Sequence, residues 1–125
     1  MRILLAEDDN NISLIARIAL EQLGHHQVTV ASDGEKALHT ALTGTFDLIL
    51  LDEMMPKMNG LTVCREYQAR ASAPTPIIFL SAKSQETDIA EFRGCALGYI
   101  PKPFDPTQLC RRIDDLVKST RTNKP

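Results

Sequence analysis

Apolar residues gather in short runs separated by stretches with helical periodicity. Residues 3–6 (ILLA), 48–51 (LILL) and 77–80 (IIFL) are unbroken, which suits strands buried on both faces of a parallel sheet. Residues 27–31 carry β-branched Val28 and Val30, and residues 98–100 make a shorter fifth strand. After the first run, Asn10 or Asn11 offers an N-cap. Ile12, Ile15, Ala16, Ala19 and Leu23 then recur at helical spacing, with Gly24 as the stop. Ser32, Asp33, Gly34 and Glu35 have capping-box spacing. They open a second helix with Ala37, Leu38 and Ala41 inward and Gly44 at its end. Asn59 and Gly60 begin a third helix through Leu61, Val63, Cys64 and Tyr67. Residues 85–95 predict a fourth, weakened by β-branched Thr87 and by Gly94. Asp105, Pro106 and Gln108 supply a cap, a proline at the first helical position and a residue that reaches back. Leu109, Ile113, Leu116 and Val117 form that fifth helix's buried stripe. Strands alternating with helices over short loops predict an α/β fold, a doubly wound parallel sheet of five strands with five helices on its two faces.

Composition narrows the function classes. At 125 residues the chain builds one domain with a core on each side of its sheet. A net charge of -2 gives no general attraction to nucleic acid or an anionic membrane. The five helices leave no helix-turn-helix, so the chain itself is not expected to bind nucleic acid. Arg111, Arg112, Lys118 and Arg121 suit the C-terminal half of a helix. No apolar run nears the ~20 residues of a membrane helix, and the short opening run meets Glu7, Asp8 and Asp9 at once, unlike a signal peptide. Cys64, Cys95 and Cys110 are odd in number and lack metal-ligand spacing, which points to free thiols in a reducing, cytoplasmic setting.

The chemistry gathers where strands end. The first ends in Glu7 and Asp8, the third in Asp52, the fourth in Ser81 and the fifth in Lys102. In open α/β sheets ligands collect at the carboxyl ends of the strands. Carboxylates a few ångströms apart repel by roughly 4 kcal/mol per close pair at an effective dielectric near 20. One lysine is too little for three acids, and a hard divalent ion such as Mg²⁺ is the natural complement.

ILLAEDDN, FDLILLDEMMPKMNG, PIIFLSA and GYIPKPFDP stand in this order and spacing. With them the chain resembles the receiver domains of two-component response regulators, from Met1 to about Lys118. The resemblance implies a flavodoxin-like strand order, 2-1-3-4-5. It implies a receiver over residues 1–118, with 119–125 a polar tail or the start of a linker. It makes Asp52 the acceptor of a phosphoryl group from the phosphohistidine of a sensor histidine kinase or histidine phosphotransfer protein. Asp8 matches the direct Mg²⁺ ligand and Glu7 a neighbour acting through metal-bound water. The Met54 backbone carbonyl matches the third protein ligand. Lys102 matches the lysine that pairs with the aspartate and then the phosphoryl group, and Pro103 the proline after a commonly cis bond. Ser81 matches the hydroxyl that swings toward the phosphoryl group, and Tyr99 the aromatic residue that turns inward with it. The implied output is a repacked face of the fourth helix, fifth strand and fifth helix. The implied domain is a cytoplasmic phosphoprotein that assists its own phosphorylation and dephosphorylation without being an enzyme. The kinase would dock over the acidic pocket and first helix, touching Asn11, Ile12 and Ile15.

Several positions depart from the family pattern. Glu53 adds an acid after the acceptor, harmless if it faces solvent and favourable to metal binding if it leans in. Residues 95–98 lack the acidic pair that commonly precedes the tyrosine, and Gln108 stands where the winged-helix class has Glu, which disfavours that class's dimer. Met54 and Lys83 occupy positions that tune dephosphorylation. Two rival readings are a receiver-like module that binds partners without phosphorylation and a Mg²⁺-dependent phosphohydrolase. The second would need an Asp where Met54 stands.

Overall fold

The computed structural model describes residues 1–81 and 95–122. Its strands are β1 (Arg2–Ala6), β2 (Gln27–Ala31), β3 (Leu48–Asp52), β4 (Ile77–Ser81) and β5 (Gly98–Pro101). They form one parallel sheet in the order β2-β1-β3-β4-β5, the doubly wound, flavodoxin-like order. The described helices are α1 (Asn10–Ile18), α2 (Gly34–Thr43), α3 (Gly60–Arg70) and α4 (Pro106–Thr122). A π-helical turn, Ala19–Leu23, continues α1. The helix predicted over residues 85–95 lies outside the described residues except for Cys95.

Every residue of β3 and β4 is buried, and so is every residue of β1 after Arg2. Because successive side chains point to opposite faces, each apolar run feeds two cores. Leu4, Ala6, Ile49, Leu51, Ile77 and Phe79 pack toward α2 and α3. Ile3, Leu5, Leu48, Leu50, Ile78 and Leu80 pack toward α1 and α4. Each such Leu or Ile contributes roughly 1.5–3 kcal/mol on burial, so a polar residue in the middle of these runs would be costly. Polar groups are confined to the strand ends, where the sheet opens. At the edge, β2 leaves Gln27, Thr29 and Val30 exposed.

Two helix starts differ from the expectation. Asp9 caps α1 in place of Asn10 or Asn11, its Oδ1 accepting from the amides of Asn11 (2.9 Å) and Ile12 (3.2 Å). Asp33 caps α2 in place of Ser32, accepting from the Lys36 amide at 2.8 Å. A carboxylate there both caps and complements the positive end of the helix dipole. Asn59 caps α3 as expected, through the Thr62 amide at 2.9 Å. Asp105 accepts from the Thr107 amide at 2.9 Å ahead of α4.

The buried face of α1 also differs from the apolar spacing. Ser13, Ala16, Ala19 and Leu20 turn inward, while Ile15 is 47% and Leu23 59% exposed. The π-helical turn carries the chain through a wider spiral, which swings Leu23 off the inward stripe. Small residues at 13, 16 and 19 let α1 lie close to the sheet, and its larger apolar side chains are left outside.

Candidate functional site

The parallel register brings the strand ends level. Ala6 pairs with Leu51, Asp52 with Leu80 and Ser81 with Pro101. Glu7 therefore leaves β1 beside Asp52, and Lys102 leaves β5 beside Ser81. The Lys102 amide donates to the Ser81 carbonyl at 2.9 Å, and the Glu7 amide to the Ala31 carbonyl at 3.0 Å.

Carboxylate oxygens of Glu7, Asp8 and Asp52 lie within 4.8 Å of one another. Glu7 and Asp52 are buried, and Asp8 is exposed. Lys102 Nζ stands between the buried pair, 2.5 Å from Glu7 Oε1 and 3.1 Å from Asp52 Oδ1. Glu7 Oε2 accepts from the Asp9 amide and Asp52 Oδ1 from the Met54 amide, each at 3.2 Å. Burial, followed by the Glu7 carboxyl beside it, pushes Asp52 up to about 7, against the pull of Lys102. For Lys102, burial works to lower the ammonium's pKa, but Glu7 and Asp52 outweigh it and hold it above its ordinary value. The cluster is thus an excess of negative charge with one cation in it. Its donors are all hard oxygens, and one acid opens to solvent. That donor set fits Mg²⁺ with several waters and does not fit a thiophilic metal.

Residues 3–114 match the family model of the response regulator receiver domain. This chain belongs to that family. The receiver is similar to the transcriptional regulatory protein RprY of Bacteroides fragilis, 40% identical over 125 residues, a match spanning 99% of this chain and 52% of that protein. It is also similar to the response regulator ArlR of Staphylococcus saprophyticus, 41% identical over 118 residues, spanning 94% of this chain and 52% of ArlR. Among solved structures, the receiver domain of a Francisella response regulator matches with a TM-score of 0.83 at 33% identity, over 95% of this chain and 98% of that one. The chain spans about half the length of the curated relatives it matches.

The other residues singled out in the receiver's sequence fall around this centre. Ser81 is buried at the end of β4. Tyr99 is half-buried on β5, in register with Phe79, and packs against the core on the α2 and α3 side. Met54 is 70% exposed, while its amide turns to Asp52. The Lys102–Pro103 peptide bond is cis. Glu53 is buried but does not belong to the three-acid cluster. Lys83 lies outside the described residues. Cys64, Cys95 and Cys110 are free thiols, and burial pushes the Cys64 thiol up, away from reactivity.

One pair next to the site had no prominence in the sequence. Lys57 Nζ lies 3.7 Å from Asp33 Oδ2. The capping signal at residues 32–35 marked Asp33's neighbourhood, but nothing local announced the contact with the loop after β3.

Proposed function

We propose that this receiver is a phosphorylation-dependent switch. In it, Asp52 takes a phosphoryl group from the phosphohistidine of a sensor histidine kinase or histidine phosphotransfer protein. The observation that carries the reading is the Lys102 ammonium set between the buried carboxylates of Glu7 and Asp52. Such a cation lets an otherwise neutralised carboxyl ionise and attack. An Asp52 oxygen forms the new O–P bond as the P–N bond of the phosphoimidazole breaks, and the departing nitrogen keeps the electron pair and is protonated. Lys102 is already within reach of the phosphoryl oxygens and offsets their charge. Glu7 (through water), Asp8, Asp52 and the Met54 carbonyl would hold Mg²⁺, which when bound supplies further positive charge to those oxygens.

The acquired dianionic group is the signal. Its acceptor oxygens recruit the Ser81 hydroxyl, and Tyr99 follows inward, repacking the face of β5 and α4 for a downstream domain or protein. Water then cleaves the acyl phosphate, so Asp52 is regenerated and the state is timed. This is a regulatory domain that assists its own modification. The half-length match to these relatives supports a receiver unit joined to an output domain; the sequence puts the end of that unit near residue 118, while α4 runs on to Thr122.

A groove of about 430 Å³ beside Lys102, lined by Ile12, Ile15, Lys102, Pro103, Phe104 and Pro106, supports docking of the phosphodonor across the acidic pocket and α1. Asn11, Ile12 and Ile15 are the proposed contacts. No described helix is long and apolar enough to cross a membrane. A cytoplasmic setting suits the free thiols.

Treatment with acetyl phosphate and Mg²⁺ tests the reading. The chain should gain the mass of one phosphoryl group, and Asp52→Asn should not. Sustained release of phosphate would favour the phosphohydrolase. No mass gain, together with an unchanged spectrum on adding beryllofluoride, would favour the phosphorylation-independent module.

A further inference from the structure

The loop between β3 and α3 carries Met54, and the start of α2 fastens it from outside. The Gly34 amide donates to the Pro56 carbonyl at 3.3 Å. A Cβ on Gly34 would land on the Met58 carbonyl oxygen, so helix and loop backbones abut. Beside this contact, Lys57 Nζ lies 3.7 Å from Asp33 Oδ2, with Lys36 a looser partner at 4.0 Å. Asp33 is buried, and its Oδ1 is engaged by the Lys36 amide. Lys57 has a φ of 69°, in the left-handed region that side-chain-bearing residues seldom occupy. On its inner side the same loop returns to the centre: the Met54 amide donates to Asp52 Oδ1 at 3.2 Å, and the Gly60 amide to the Glu53 carbonyl at 2.8 Å.

We infer that Asp33 and Lys57 are positioning residues for this loop: their ion pair holds the left-handed turn at Lys57, and with it the Met54 backbone beside Asp52. The inference rests on the reading of Asp52 as phosphoacceptor and of the Met54 backbone as part of the Mg²⁺ cradle. Exposed ion pairs ordinarily contribute little, because two mobile side chains must be ordered and water screens them. Here one partner is already fixed. Asp33 is buried and held by its capping bond, so only Lys57 has to be ordered. Removing the ammonium takes one partner from a buried carboxylate and frees the turn to relax toward negative φ. The loop on both sides of Lys57 shifts as it does so.

The test uses Asp33→Asn, which keeps the cap while removing the charge, Lys57→Gln on the surface, their double variant, and Lys57→Arg. Two quantities are read by amide NMR: hydrogen exchange of the Met54 amide without metal, and the Mg²⁺ dissociation constant from its shift. Each single charge-removing variant should speed exchange and raise the dissociation constant roughly two- to fivefold, the scale of one partly exposed ion pair. The double variant should be no worse than either single, and Lys57→Arg should match the parent. Parent-like values in Lys57→Gln and Asp33→Asn, or additive effects in the double variant, would overturn the inference alone. A parent whose Glu7, Asp8 and Asp52 amides show no saturable response to Mg²⁺ would overturn the acceptor-site reading and this inference with it.

Discussion

Lys102 and Asp52 meet across a strand that contains neither: Nζ lies 3.1 Å from Oδ1, with β4 between β3 and β5. The same ammonium also touches Glu7, from the far side of β3. One cation therefore serves two buried carboxylates drawn from different parts of the chain, and the behaviour of the site follows from how thinly that charge is spread.

Lys102→Met should slow phosphorylation of Asp52 by acetyl phosphate roughly a hundredfold, the usual scale for removing one group that stabilises developing charge. The time course of phosphoryl mass gain checks this. A rate within a factor of two of the parent would mean that Lys102 is not needed at the reacting oxygens.

Without divalent ions, Asp52 should destabilise the fold at neutral pH. Its carboxyl shifts from 3.8 in an unfolded chain to about 7 in the folded one. Between those values the folded state holds a proton that the unfolded state has lost. The stabilising contribution is therefore complete below about pH 4 and is lost as the pH rises through about 7. Asp52→Asn cannot titrate, so in chelator it should match the parent near pH 4 and exceed it at pH 8. The expected excess is roughly 1–2 kcal/mol once the shift is discounted for solvent screening. Urea midpoints at the two pH values decide the matter.

Mg²⁺ should reverse that penalty. At an ion concentration one hundred times the dissociation constant, linkage predicts a gain of about 2.7 kcal/mol in unfolding free energy, abolished by chelator. Asp8→Asn should lose most of the gain. Glu53→Gln should keep it, because Glu53 lies outside the cluster that gathers Glu7, Asp8 and Asp52. Thermal unfolding with and without the ion separates these cases.

At Gly60 the space is already taken. A Cβ there would overlap the Asp52 carbonyl oxygen and come within 2.9 Å of the Glu53 Cα. Gly60→Ala should cost roughly 1–3 kcal/mol through overpacking and slow phosphorylation by displacing the acceptor's own backbone. Asn59→Ala, one residue earlier, removes only a cap. It should cost about 1 kcal/mol and leave the phosphorylation rate near that of the parent. Denaturation and mass-gain assays on the two variants test whether the effects separate.

The amino-acid sequence determined the strands of the sheet and put forward the candidate residues of the site. Unbroken apolar runs at residues 3–6, 48–51 and 77–80 suit a sheet covered on both sides. In a parallel sheet all the carboxyl ends lie on one edge, so Asp8, Asp52, Ser81 and Lys102 announced themselves as neighbours. Asn59 and Asp105 were legible as helix starts because a cap acts on amides two or three residues away, well within a local window. The strand order came with the family motifs, since periodicity alone does not rank five strands.

Tertiary structure decided which of several equivalent local choices was taken. Asp9 and Asp33 won their caps over adjacent Asn and Ser residues of similar propensity, and α1 with its π-helical turn buried Ser13 and Leu20 and left Ile15 and Leu23 outside. Those outcomes depend on how closely a helix approaches the sheet, which is a property of the packed layers. The contacts of Lys102 with Glu7 and of Lys57 with Asp33 are of the same kind. Charges far apart along the chain carry no local signal of pairing, and only the register of parallel strands and the seating of α2 against the β3–α3 loop bring their atoms within reach.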